Sequence, residues 1–282
     1  MAPRARLDAE LVRRGLARSR EQARELVDSG VVSVNGTVAS KPATNVGRDT
    51  PIVVVESVAD TWASRGAHKL LGALEEFEPR GLVVSGRRCL DAGASTGGFT
   101  DVLLQRNAAR VVAVDVGYGQ MVWRLRTDDR VDVHDRVNVR SISAEAIGGP
   151  VDLVVADLSF ISLRLVLPAL ASCVAPGGDL LPMVKPQFEV GKDRVGAGGV
   201  VRDPALRLEA MTAVAREASH LGLSTVGAVA SPLPGPSGNV EYFLWLRNDG
   251  TEPVPVDVNA ENTTLDEEIL QAMSEAIQKG PQ

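Results

Sequence analysis

Along the first sixty residues the apolar positions Leu7, Leu11, Leu16, Ala23, Leu26 and Val27 recur at spacings that suit two short helices. Ser19, followed three residues later by Gln22, predicts a capping box at the start of the second, so the joint falls near Gly15 to Ser19. After Gly30 the texture changes to the short β-branched runs of VVSVNGTVASKPATNVGRDTPIVVV, and Asn35-Gly36 between two of them is a hairpin signal. From Ser64 a different rhythm begins. HKLLGALEEF is amphipathic, RRCLDAG reads as a strand, TDVLLQRN as a helix, and RVVAVDVG, VDLVVADLSF and DLLPMVKPQFEV as further strands. Strands separated by helix-length segments predict an α/β domain with a parallel or mostly parallel sheet covered by helices, and ligands of such sheets collect at the carboxyl ends of the strands. The expected organisation is a small α+β domain over residues 1–59, a linker at 60–63 and the α/β domain over 64–282.

The polar residues that break this pattern fall at strand ends. LDAGASTGGFTD, residues 90–101, follows an apolar run with Gly93-x-x-x-Gly97-Gly98. That spacing is neither the G-x-G-x-x-G dinucleotide fingerprint nor a phosphate loop, because no Gly-Lys-Ser/Thr follows. Asp115 closes the next strand 22 positions after Gly93, near the offset at which an acid meets ribose hydroxyls. An adenosine without phosphates fits a glycine turn, the Ser95 and Thr96 hydroxyls and that acid. Asp135 in VDVHD ends the third strand, where a carboxylate can accept from an adenine amino group.

Two lysines and two acids stand at costlier positions. Lys185 sits between the apolar run LLPMV and Pro186, and burying an ammonium there costs several kcal/mol unless it is paired. Asp157, at the end of VVAD, is its natural partner, although an acid there also reads as a helix cap. Glu241 interrupts the apolar run of NVEYFLWL, and Lys69 lies in SRGAHKL.

Composition narrows the class without deciding it. The 282 residues are 44% hydrophobic and 23% charged, enough for a substantial core, and no apolar run reaches the ~18 residues of a membrane helix. With no secretory leader pattern either, a cytoplasmic protein is expected. Cys89 and Cys173 lie in apolar surroundings and read as buried reduced thiols, so no metal is expected. The net charge of −6 argues only superficially against a nucleic acid: from Asp249 onward eight acids face Lys279 alone, which leaves the rest of the chain near neutral. Arg4, Arg6, Arg13, Arg14, Arg18, Arg20 and Arg24 crowd the first helical pair, partly balanced by Glu10, Glu21, Glu25 and Asp28.

RLDAELVRRGLARSREQARELVDSGVVSVNG resembles the S4 RNA-binding domain over nearly all of residues 1–59. DAGASTGGF with VDVG resembles the first two motifs of class I, Rossmann-like methyltransferases, which use S-adenosylmethionine (SAM). The order Lys69, Asp157, Lys185, Glu241 is similar to the K-D-K-E tetrad of FtsJ-type RNA ribose 2′-O-methyltransferases. An S4 domain followed by SRGAHKL, LDAGASTGGFTD, ADLSFIS, VKPQFEVGK and SPLPGPSGNVEYFLWL resembles the TlyA family over residues 1–247, with a looser acidic extension at about 249–282. Where that family often carries Arg-x-Trp in the linker, this chain has Asp60-Thr61-Trp62-Ala63.

The resemblance implies a SAM-dependent ribosomal RNA 2′-O-methyltransferase acting on cytidine in the 16S and 23S RNAs, within the ribosomal subunits. It implies cofactor contacts from Gly93, Ala94, Ser95, Thr96, Gly97, Gly98, Phe99, Asp115, Asp135 and Asp157. A ribose hydroxyl is a poor nucleophile at neutral pH, so Lys185 is expected as base, Asp157 and Glu241 as carboxylates that orient it, and Lys69 as a second cation. RNA contacts are expected from Arg4, Arg6, Arg18, Arg20 and Lys41 in the first domain and from Arg65, Arg136, Arg140 and Lys192 around the pocket. Three rivals remain: a membrane-acting cytolysin, suggested by the family's hemolysin label; a small-molecule methyltransferase; and an RNA-binding module without catalysis. The absence of a spanning helix, the basic residues near the pocket and the intact K-D-K-E set argue against them in turn.

Overall fold

A computed structural model describes residues 4–17, 19–28, 30–54, 62–235, 237–251 and 265–281. The chain divides into two compact units, Met1–Thr61 and Trp62–Gln282. In the first, β1 (Arg4–Arg6) leads into α1 (Leu7–Arg13) and α2 (Arg20–Asp28), followed by β2 (Val32–Val34), β3 (Thr37–Val38), β4 (Asn45–Gly47) and β5 (Ile52–Val54). Leu7, Leu11, Ala23 and Val27 are buried together with Val32 and Val46, with Leu26 packed against them, as the helical spacing predicts, whereas Leu16 lies beyond the end of α1 and is exposed. The Ser19 hydroxyl accepts from Gln22 N at 3.1 Å at the start of α2. Asn35 and Gly36 both take positive φ, 52° and 80°, which is the backbone a tight two-residue turn between β2 and β3 requires. The sequence pattern did not reveal β1, which pairs antiparallel with β4 far along the chain.

The second unit is built on a seven-stranded sheet. In chain order it contains α3 (Ala67–Phe77), β6 (Arg88–Ala92), α4 (Gly98–Gln105), β7 (Arg110–Asp115), α5 (Trp123–Arg126), β8 (Val131–Asp135), β9 (Val151–Ala156), α6 (Leu167–Cys173), β10 (Val174–Val184), α7 (Pro186–Glu189), α8 (Pro204–His220), β11 (Leu223–Ala230), β12 (Tyr242–Asn248) and α9 (Glu267–Lys279). The sheet order is β11-β12-β10-β9-β6-β7-β8. β10 through β8 run parallel, whereas β12 pairs antiparallel with both β10 and β11. Apolar residues of both sheet faces form two cores, one under α6, α8 and α9 and the other under α3 and α4. Cys89 and Cys173 are both buried and free, and burial pushes the Cys89 thiol up to about 12.

The antiparallel turn of β12 has a functional consequence. Val184 at the end of β10 faces Tyr242 at the start of β12. The residue that enters β12, Glu241, therefore lies at the same sheet edge as the residues that leave the parallel strands, and that edge is where ligands of such sheets bind.

Candidate functional site

Four side chains meet at this edge, each delivered by a different element. Lys69 comes from the first turn of α3, Asp157 directly follows β9, Lys185 directly follows β10 and Glu241 directly precedes β12. Lys69 Nζ lies 2.7 Å from Glu241 Oε2 and 3.3 Å from Asp157 Oδ2. Lys185 Nζ lies 2.6 Å from Asp157 Oδ1 and 3.8 Å from Glu241 Oε1, and donates to Ser159 Oγ at 3.0 Å. Lys185 and Glu241 are buried. Two ammoniums alternating with two carboxylates leave the cluster neutral, which is what makes such burial tolerable. Asp157 does not cap a helix; its carboxylate is held between the two lysines.

Lys69 is held in its charged form. Burial works against the Lys69 cation, but Asp157 and Glu241 outweigh it and raise its pKa above the ordinary lysine value. Lys69 thus remains an ammonium throughout the physiological range, as a fixed cation must. The same lysines hold Asp157 below the usual carboxylate range against the cost of its burial.

The glycine loop adjoins this cluster. Gly93 has φ +89°, and a Cβ there would stand 2.6 Å from the carbonyl oxygen of Asp157. Gly97, φ +97°, would meet Leu125 Cδ1 at 2.5 Å, and a Cβ on Gly98 would meet Ser64 Oγ at 2.4 Å. Gly93 thus packs the loop directly against the backbone of the tetrad's aspartate, and the left-handed backbone at Gly93 and Gly97 favours glycine there. Ser95, at φ 47°, donates its N–H to Asp115 Oδ2 at 2.8 Å, while Gly117 N donates to Asp115 Oδ1 at 2.6 Å. Asp115 therefore ties the loop to the end of β7. Phe99 is buried against Phe243 and belongs to the core beneath the loop. Asp135 accepts from Arg126 at 2.8 Å and from Gly119 N at 3.2 Å.

One acid of the LDAGASTGGFTD stretch carries no mark of its role in the sequence. Asp91 on β6 is buried, accepts from the Thr100 hydroxyl at 2.7 Å through Oδ2, and has no hydrogen-bond partner at Oδ1. Burial pushes its carboxyl up to about 7. With Asp115, Asp135 and Asp157 it gives four acids on four neighbouring parallel strands or at their ends. Beside them Val116 and Tyr118 leave apolar surface exposed. Acceptors along one side and apolar surface next to them suit a ligand with hydroxyl, amino and cationic groups and an aromatic ring. SAM has this donor set, so the residues present fit it.

A second feature that the sequence pattern does not mark is Phe160, which is 91% exposed, takes φ 64° and stacks its ring 5.5 Å from that of Phe188. It lies three residues beyond Asp157. Asp101, at the end of the glycine stretch, has a fastening role: its buried carboxylate accepts from Ala63 N at 2.8 Å and pairs with Arg124, so the entry to this unit is tied to α4.

The predicted RNA contacts are scattered. Arg65, Arg140 and Lys192 are exposed, as is Lys41 in the first unit. Arg136 packs its guanidinium 4.2 Å from the centre of the Tyr118 ring. Arg6 and Arg20 both reach the buried Asp8. Arg18 and the side chain of Arg4 lie outside the described residues, as do Asp60 and Thr61 of the linker and residues 252–264 of the acidic extension.

Comparison with known proteins decides the family. The FtsJ-like methyltransferase profile matches residues 62–248, and the S4 domain profile matches residues 5–52. This chain belongs to the FtsJ-like methyltransferase family. It is 65% identical over 247 residues to the 16S/23S rRNA (cytidine-2′-O)-methyltransferase TlyA of Mycobacterium tuberculosis, a match covering 88% of this chain and 91% of that one. It is 35% identical to Hemolysin A of Brachyspira hyodysenteriae, over 84% of this chain and 98% of that protein. A solved structure provisionally described as a hemolysin of Streptococcus thermophilus matches with a TM-score of 0.73 and 35% identity, over 99% of this chain and 98% of that one. Among the described residues of this FtsJ-like chain, no helix is long and apolar enough to cross a membrane.

Proposed function

We propose that this FtsJ-like methyltransferase transfers the methyl group of SAM to the ribose 2′-hydroxyl of cytidine in 16S and 23S ribosomal RNA. One observation carries the reading: Lys69, Asp157, Lys185 and Glu241, from four elements far apart in sequence, close into one half-buried tetrad against the glycine loop. The 65% identity to a protein named for that reaction supports the choice of RNA and nucleoside.

The residues that would hold SAM are the loop Gly93 to Phe99 with Asp91, Asp115, Asp135 and Asp157. Bound there, SAM supplies an electrophilic methyl carbon. Lys185, as the neutral amine, is placed to take the proton of the attacking hydroxyl and becomes an ammonium that Asp157 and Glu241 hold, while Lys69 stabilises negative charge developing on the ribose oxygen. The S4 domain positions the RNA through phosphate contacts, which do not choose the reacting atom. Exposed Arg65, Arg140 and Lys192 and the stacked Arg136 extend that contact on the methyltransferase unit.

The test is methylation of unmodified ribosomal subunits by the full chain with methyl-labelled SAM, followed by mapping of ribose methylation. Label at the 2′-oxygen of cytidines in both RNAs is expected. Label on bases, or none in ribosomal RNA despite SAM binding, would refute the reading.

A further inference from the structure

Seven arginines crowd the first helical pair, and the structure divides those it describes into two kinds. Arg13 and Arg14 both pair with buried Glu10, at 2.6 and 2.8 Å, and Arg14 also donates to the carbonyl oxygens of Thr50, Gly47 and Arg48. Arg6, Arg20 and Arg24 do something else. All three converge on the fully buried carboxylate of Asp8. Arg6 binds it through two hydrogen bonds of 3.1 and 3.0 Å, Arg20 reaches both oxygens at 3.2 Å, and Arg24 Nε stands 3.6 Å away. Yet these side chains remain 45%, 55% and 57% exposed, so each guanidinium keeps N–H groups facing solvent.

Stability alone does not explain this arrangement. One arginine neutralises one carboxylate, yet three converge on this one. The placement is also poor for the helices: Arg6 is the N-cap of α1 and Arg20 opens α2, the ends where a cation opposes the helix dipole. A cluster that over-neutralises a buried acid and crowds cations at helix starts becomes favourable when a second anion arrives on its solvent side.

We propose that Asp8 is a positioning residue, whose buried carboxylate holds Arg6, Arg20 and Arg24 together as one preorganised fork for an RNA phosphate. Asp8 does not touch the phosphate; it fixes three flexible side chains that would otherwise lose rotamer freedom on binding. The arginines hold its carboxyl well below the usual carboxylate range, so the fork persists at every pH at which RNA is intact. The inference rests on the reading of the chain as a ribosomal RNA enzyme and adds to it a residue that carries the wrong charge for a direct contact.

That sign makes the test decisive. Removing a negative charge from an RNA-binding unit strengthens binding if only net charge matters; removing the anchor of the fork weakens it. The full-length Asp8→Asn variant is compared with wild type in binding unmodified 23S ribosomal RNA across a salt series. A loss of about tenfold in affinity is expected, the scale of a charge-assisted hydrogen bond. The log–log salt slope should become shallower by about 0.7 to 0.9 for each phosphate that the fork no longer neutralises. SAM affinity should stay unchanged. Equal or tighter RNA binding by a folded Asp8→Asn chain overturns the proposal. Should that variant melt its first unit, Arg20→Lys decides: it keeps the net charge and the pairing but replaces the fork with a point charge, and undiminished affinity there overturns the proposal equally. A wild-type chain that fails to bind the RNA at all would remove the ribosomal reading itself, and this inference with it.

Discussion

Replacing Lys185 tests the chemistry most directly, because the structure predicts different results for two variants. In Lys185→Ala the ammonium 2.6 Å from Asp157 Oδ1 and 3.8 Å from Glu241 Oε1 disappears, leaving two carboxylates to share Lys69. Breaking a buried pair typically costs about 3–5 kcal/mol. Asp157 retains Lys69 at 3.3 Å and its side chain is 21% exposed, which reduces the expected cost to about 2–4 kcal/mol. For a unit of this size that is a fall of about 5–15 °C in melting temperature. Loss of a general base should slow methyl transfer by about 10²–10⁴-fold. Lys185→Arg restores the charge and most of the melting temperature but not the reaction, because a guanidinium does not deprotonate near neutral pH. The assay is single-turnover methylation at saturating SAM and ribosomal substrate, with melting curves of both variants. An arginine variant that retains about a tenth or more of the wild-type rate, by the order of magnitude expected of base catalysis, would refute the base assignment.

Gly93→Ala should destabilise the glycine loop and weaken SAM binding together, since the added carbon meets the Asp157 carbonyl at 2.6 Å; calorimetry showing wild-type SAM affinity would disconnect loop from tetrad. Phe160→Ala should leave melting temperature and SAM affinity unchanged, because the ring is exposed, while turnover on ribosomal RNA falls through loss of a stacking surface worth about 1–3 kcal/mol per base; unaltered turnover would show that the ring contacts no base. Asp91 has a folded pKa of about 7 against an ordinary value of 3.8, so ionising it opposes folding. Its contribution is most favourable below about pH 4 and is lost as pH rises to about 7, up to ~4 kcal/mol in all. Denaturant titrations at pH 5 and pH 8 should show that slope in wild type and a flatter one in Asp91→Asn; equal slopes would place the titration elsewhere.

Much of this was legible because expensive placements leave marks in a sequence. A lysine wedged between LLPMV and a proline, and an acid inside NVEYFLWL, announce that something must offset the cost of their burial, and the structure pairs the lysine with Asp157 at 2.6 Å and the acid with Lys69 at 2.7 Å. Period-two and helical patterns likewise mark the alternating elements, and Asn35-Gly36 its hairpin. What stayed hidden depends on register between distant segments. β1 is three residues long and exists because β4 pairs with it, which no local pattern records. The antiparallel entry of β12, which brings Glu241 to the edge where the parallel strands end, is equally a property of the assembled sheet. Asp8 and Asp91 are hidden for the opposite reason. Each lies in a stretch whose neighbours explain it too easily, Asp8 among arginines and Asp91 in front of a glycine turn, so neither looks costly until burial is known. The glycines carry a constraint that their spacing does not record: a Cβ on Gly93, Gly97 or Gly98 would meet Asp157, Leu125 or Ser64, neighbours that only the fold brings there. A side chain at Gly93 would therefore disturb the glycine loop and the backbone of Asp157 in one step, so that a single substitution tests whether the two act together.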